Sequence, residues 1–123
     1  MADSIHIGLV DDDPAVLDSL QLYFARHGVS TSCFASAEAL LDSLDGGAQP
    51  DCIVSDIRMP GMSGLELQAR LNAEQIRIPT IFITAHGDAR MRMQALRAGA
   101  VEFLAKPFDG EVLLESVRAA LER

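Results

Sequence analysis

Apolar residues gather into five short runs, at positions 5–10, 30–34, 51–55, 79–84 and 101–105, and each run is followed by a polar turn. Their length and their share of Ile, Val and Phe read as β-strands. Between them the apolar positions change to a helical period. A first helix runs over 14–27, with Leu17, Leu20 and Phe24 at three- and four-residue steps, Asp13 as its cap and Pro14 at its first position. A second starts from a Ser36 cap, carries Leu40, Leu41 and Leu44 on one side, and stops at Gly46-Gly47. A third begins near Ser63-Gly64 and buries Leu67 and Leu71. The fourth, 88–98, ends at Gly99 and has the weakest apolar signal. Met91, Ala95 and Ala98 share one side of it, while Arg90, Arg92, Met93 and Arg97 leave the remainder mixed. The fifth runs from an Asp109 cap to Glu122 and presents Val112, Leu113, Val117, Ala120 and Leu121 as an amphipathic stripe.

Five alternations of strand and helix predict an α/β fold. Right-handed crossovers then give a doubly wound, five-stranded parallel sheet with helices on both faces. The 123 residues show no internal repeat, low-complexity tract or linker, so a single domain spanning 1–123 is expected. The composition agrees: 49% of residues are hydrophobic but only 5% aromatic, with no Trp, which suits an aliphatic core under parallel strands. Cys33 and Cys52 fall on predicted strands without metal or redox spacing and are expected to be reduced, buried thiols.

In such sheets, ligand chemistry sits at the carboxyl ends of the strands. The first run here ends in Asp11, Asp12 and Asp13, the third in Asp56, the fourth in Thr84, and the fifth in Lys106 before Pro107. The winding brings Asp11, Asp12 and Asp56 together. Like charges ~4 Å apart repel by about 1 kcal/mol in water and several times more in a partly buried site. The cluster therefore calls for a cation or a raised pKa. Carboxylates are hard oxygen ligands, and with no His or Cys beside them they favour Mg2+, with Mn2+ as a substitute, over Zn2+. A carboxylate is also a nucleophile toward phosphorus. The transfer asks the protein mainly for in-line positioning and cancellation of charge, which a divalent ion, Lys106 and the Thr84 hydroxyl can supply. Taken singly, each residue has a plainer reading: a solvated acidic turn, a strand-end Thr, a surface Lys. Only the combination departs from these.

Net charge alters the picture by exclusion. At −8 the chain repels phosphate backbones, so it is not expected to bind nucleic acid directly. No run reaches the ~20 apolar residues of a bilayer span and the first four residues do not resemble a signal segment. A cytoplasmic location, away from membranes, is expected.

Four blocks carry a resemblance. They are Leu9-Val10-Asp11-Asp12-Asp13; Val54-Ser55-Asp56-Ile57-Arg58-Met59-Pro60-Gly61-Met62-Ser63-Gly64; Ile83-Thr84-Ala85-His86-Gly87-Asp88; and Ala98-Gly99-Ala100-Val101-Glu102-Phe103-Leu104-Ala105-Lys106-Pro107-Phe108. In this order, each at a strand end, they resemble a two-component response-regulator receiver domain, of the FixJ-type branch of LuxR-family transcriptional regulators. The resemblance covers essentially the whole chain. It implies the flavodoxin-like receiver fold with strand order 2-1-3-4-5. It makes Asp56 the phosphoacceptor, served by Thr84 and Lys106. Asp12 becomes the main side-chain metal ligand, Asp11 a ligand largely through water, and the Arg58 backbone carbonyl another. Thr84 and Phe103 form the switch: Thr84 moves toward the phosphoryl group and the Phe103 ring turns into the space it leaves. The Lys106-Pro107 bond is expected to be cis. The partners implied are a sensor histidine kinase and a second copy, docking through the face of the fourth helix, fifth strand and fifth helix. His86 is placed at the mouth of the site, although a surface histidine is the plainer account. Met59 and Met62 read first as packing.

Two other functions compete. A phosphatase or phosphotransferase with an aspartyl nucleophile, as in the haloacid-dehalogenase superfamily, usually carries an acid two residues after the nucleophile. This chain has Arg58 there and no cap insertion. A phosphorylation-independent interaction domain with a receiver-like fold typically lacks an acid or the Lys, whereas all five positions are intact here. Accordingly the chain is expected to be a phosphoacceptor that assists its own phosphorylation and dephosphorylation, not an enzyme, and either a fragment of a longer regulator or a stand-alone receiver.

Overall fold

The structure, a computed structural model, describes residues 5–47, 49–85, 87–107 and 109–122. In chain order it runs β1 His6–Val10, α1 Pro14–Arg26, β2 Ser30–Phe34, α2 Ala37–Asp45, β3 Cys52–Asp56, α3 Gly64–Ala73, β4 Thr80–Thr84, α4 Ala89–Arg97, β5 Glu102–Ala105 and α5 Gly110–Leu121. All ten expected elements are present, with ends displaced by one or two residues. The most consequential shift is at β3, which carries Asp56 within its last position instead of stopping at Ser55.

The strands are parallel in the order β2-β1-β3-β4-β5. Alternate side chains on each strand point to opposite faces. Ile7, Leu9, Val54, Ile81 and Ile83 pack with Leu17, Leu20 and Phe24 of α1 and Leu113, Leu114 and Val117 of α5. On the other face Val10 and Ile53 meet Leu40 and Leu44 of α2 and Leu67 and Leu71 of α3. A smaller cluster, Ile57, Phe82, Ala95, Ala100 and Phe103, lies under α4. β3 and β4 are buried along their whole length, as central parallel strands must be, while β2 is a partly exposed edge.

Each helix starts from a side chain that accepts a bond from a free backbone N–H: Asp13, Ser36, Ser63, Asp88 and Asp109. Ser63 and Glu66 form a reciprocal capping box. Gln75 closes α3 in the left-handed region, φ 59°, where Ile76 N donates back to Leu71 O at 2.9 Å.

Two burial expectations change. Cys33 is exposed, because it lies on the edge strand, and only Cys52 is a buried thiol. In α5, Val112 is 43% exposed and Leu114 takes the buried position. α4 fully buries only Ala95, with Met91 and Ala98 partly covered, in keeping with its weak pattern.

Candidate functional site

The carboxyl ends of β1, β3, β4 and β5 bring Asp11, Asp12, Asp56, Thr84 and Lys106 to one end of the sheet. Asp11 is 1% exposed and anchored from two sides: its N–H donates to Phe34 O at 3.1 Å, and its Oδ1 accepts from Asp13 N at 2.9 Å. Asp56 is also buried, and its Oδ1 accepts from Ile57 N at 2.7 Å. Asp12 is exposed. Carboxylate oxygens of all three lie within 4.8 Å of one another.

Lys106 Nζ donates to Asp11 Oδ2 at 3.0 Å and to Asp56 Oδ2 at 3.3 Å. Its backbone is held as well, since Lys106 N donates to Thr84 O at 2.8 Å; the Lys106-Pro107 bond is cis, as expected. Burial pushes the Asp11 carboxyl above its ordinary range, against the opposing pull of the Asp13 N–H and the Lys106 ammonium. At Lys106 burial works to lower the pKa, but the bonds and fields of Asp11 and Asp56 outweigh it and raise the value.

Three carboxylates against one ammonium leave an excess of two negative charges, which a divalent cation would cancel. Oxygen ligands at the usual 2.0–2.1 Å from Mg2+ lie at most about 4.2 Å apart. The gathered acids need only small inward adjustments to meet that limit. The donor set is all oxygen and therefore hard, so the residues fit such an ion.

Further residues shape the site. Thr84 is fully buried at the end of β4, and Phe103, 6% exposed, packs in the cluster under α4. Arg58 is exposed just beyond Asp56. Met59 is buried and Met62 packs beside it against the α2–α3 core, the plainer of the two readings for both. His86 lies outside the described residues.

Some contributors were not visible in the sequence. Glu38 of α2 accepts from Met62 N at 3.1 Å and steadies the loop after Asp56. Gly64 lies so close that an added Cβ would stand 2.5 Å from Asp56 O. Buried Ser55 donates to Asp56 O at 2.8 Å. Only Gly64 left a signal, as part of the Pro- and Gly-rich turn.

Residues 7–118 match the response regulator receiver domain family. The chain belongs to that family. Among relatives of this receiver domain, the response regulator protein TodT of Pseudomonas putida is 45% identical over 116 residues, covering 94% of this chain and 51% of TodT. The transcriptional regulatory protein FixJ of Bradyrhizobium diazoefficiens is 40% identical over 118 residues, covering 96% of this chain and 57% of FixJ. The receiver domain thus spans about half the length of the curated relatives it matches. The solved structure of FixJ-N superposes with a TM-score of 0.89 at 39% identity, covering 100% of this chain and 97% of that one. Full-length FixJ from B. japonicum gives a TM-score of 0.89 over 98% of this chain and 59% of its own. The expected fold, strand order and FixJ-type affinity all hold. The chain is a receiver domain of the two-component response-regulator kind.

Proposed function

We infer that this receiver domain takes a phosphoryl group onto Asp56 from the phosphohistidine of a sensor histidine kinase. The convergence of Lys106 on Asp11 and Asp56 carries the reading, because it puts a cation beside a buried carboxylate that has one oxygen already held by the Ile57 N–H. An Asp56 oxygen forms the new bond to phosphorus, the phosphorus–nitrogen bond breaks, and the imidazole departs with that electron pair. Lys106 stays within reach of the transferred oxygens, and the Thr84 hydroxyl donates to them.

Mg2+, or Mn2+ in its place, would be held by the Asp11, Asp12 and Asp56 carboxylates and the Arg58 backbone carbonyl. When bound, it supplies charge cancellation on the acids and on the transferring oxygens. Asp11 would serve largely through water, as its place in the receiver family implies. The receiver would assist its own dephosphorylation through the same groups.

The change at Asp56 passes through Thr84 and Phe103 to the face formed by α4, β5 and α5, where a second copy docks. That face mixes Arg90, Arg92 and Arg97 with exposed Met93, Leu96 and Val112. Similarity to FixJ supports a role in transcriptional control, with DNA contacted by a part of the regulator other than this acidic domain. No helix among the described residues is long and apolar enough to cross a membrane, and a cytoplasmic setting suits a kinase partner.

The test is intact-mass spectrometry after treatment with acetyl phosphate and Mg2+, comparing the parent chain with Asp56→Asn. A gain of about 80 Da in the parent alone is expected, as transfer to a carboxylate requires. An equal gain in both would remove Asp56 as the acceptor, and a gain in neither would remove this chemistry for small phosphodonors.

A further inference from the structure

Gly87 is exposed and lies in the short connection from β4 to α4, immediately before Asp88, whose side chain caps α4 by accepting from Met91 N at 2.8 Å. Glycine fits position 87 where a residue with a side chain would not. The reason is space. A Cβ at position 87 would stand 2.6 Å from Phe103 Cζ, 2.8 Å from Phe103 Cε1 and 2.8 Å from Thr84 Cγ2. Carbon atoms at optimal separation lie about 3.5–4.0 Å apart, so at least one of these groups must shift to admit a side chain at 87.

The two neighbours differ in how they can yield. Thr84 is fully buried in a central strand, and its O accepts from Lys106 N. The Phe103 atoms are the far end of a side chain on β5, an edge strand, so a turn about χ1 is the way this neighbour would yield.

We propose that Gly87 is a positioning residue: its missing side chain is what lets the Phe103 ring lie buried beside Thr84, and residue 87 thereby couples that ring to the entry of α4. The role in signalling rests on the reading of Thr84 and Phe103 as the switch; the packing claim stands on the distances alone. With any side chain at 87, the ring and the start of α4 cannot both keep their places.

The decisive measurement is 19F NMR on chain labelled with 2-fluorophenylalanine, the Phe103 resonance being assigned by its loss in Phe103→Leu. The shift of that resonance between H2O and D2O reports exposure of the ring. It should be small in the parent and rise toward that of the free amino acid in Gly87→Ala. A small shift in a folded Gly87→Ala chain would overturn the proposal. Should Gly87→Ala fold poorly, a thermal cycle decides instead: the loss of melting temperature it causes should at least halve in a Phe103→Leu background. An equal loss in both backgrounds would show that the ring is not what the new methyl strikes. Beryllofluoride added to the labelled parent separates the two readings. An unmoved Phe103 resonance would sink the switch, while the isotope shift in Gly87→Ala still decides the packing claim.

Discussion

Replacing Lys106 by methionine keeps length and apolar stem but removes the ammonium that bridges Asp11 and Asp56. At an effective dielectric near 20, charges 3.0 and 3.3 Å apart attract by about 5 kcal/mol each before desolvation is counted. Much of that is returned in stripping water from Lys106, whose side chain retains 19% exposure. Fully buried ion pairs cost about 3–5 kcal/mol to break, so a loss of about 2–4 kcal/mol is expected for this partly solvated one. That corresponds to a fall of roughly 8–15 °C in Tm for a domain of this size. Two further signs follow. The folded pKa of Asp11 is already above its ordinary 3.8, so the folded chain binds that proton more tightly and stability falls as pH rises through its titration. Without Lys106 the penalty grows, and Lys106→Met should regain stability on acidification from pH 7 toward 5 more steeply than the parent. Removing the ammonium also strengthens the field that draws a cation: a gain of only 1.4 kcal/mol would tighten Mg2+ binding about tenfold. Thermal melts at several Mg2+ concentrations, with and without the substitution, read all three quantities, since the ion stabilises only the folded chain. A Mg2+-induced rise in Tm that is smaller in Lys106→Met than in the parent would refute the electrostatic reasoning, whatever the size of the basal loss.

Gly64→Ala should cost about 1–3 kcal/mol, because the new methyl meets backbone at Asp56 O and Ile57 Cα, which cannot swing aside; a chemical-denaturation midpoint equal to the parent's would contradict this. Ellman's reagent should titrate one thiol per native chain, the exposed Cys33, and two in denaturant, since burial pushes Cys52 up to about 12. Two fast native thiols would mean that β3 opens readily. Gln75→Gly should stabilise the chain by about 0.5–1 kcal/mol by relieving the left-handed backbone at the end of α3, seen as a higher Tm; a lower one would show that the glutamine side chain holds this turn.

The elements were legible because the chain is locally consistent: strands such as Ile81 to Ile83 are apolar throughout, and every helix announces itself with a capping side chain. Errors arose where one dimension does not determine exposure. Cys33 occupies an ordinary strand position, and although the expected strand order already makes β2 an edge, the local sequence does not show which of its side chains that edge leaves uncovered. Val112, Leu113 and Leu114 are consecutive and apolar, so the period alone does not say which one faces out. At the site, Asp11, Asp12, Asp56, Thr84 and Lys106 could be gathered from their places at strand ends. Glu38 and Gly87 could not, since a helix-surface carboxylate and a loop glycine acquire meaning only from what approaches them in space.

The apolar anchorage of α4 is one fully buried side chain, Ala95, with Met91 partly covered, supplemented at β5 by Arg92, which donates to Phe103 O at 3.2 Å and lies 3.9 Å from Glu102. Reversing a two-state balance from 1:99 to 99:1 takes a differential free energy of about 5.5 kcal/mol. A helix with a larger apolar face would have to uncover several side chains, each worth about 1.5–3 kcal/mol, before it could relocate, and one phosphoryl group would be a weak lever against that. If α4 relocates as the proposed switch requires, its small apolar face would keep the difference between its placements within reach of a single covalent event, and the poor hydrophobic pattern that makes it the faintest helix in the sequence would then serve that response.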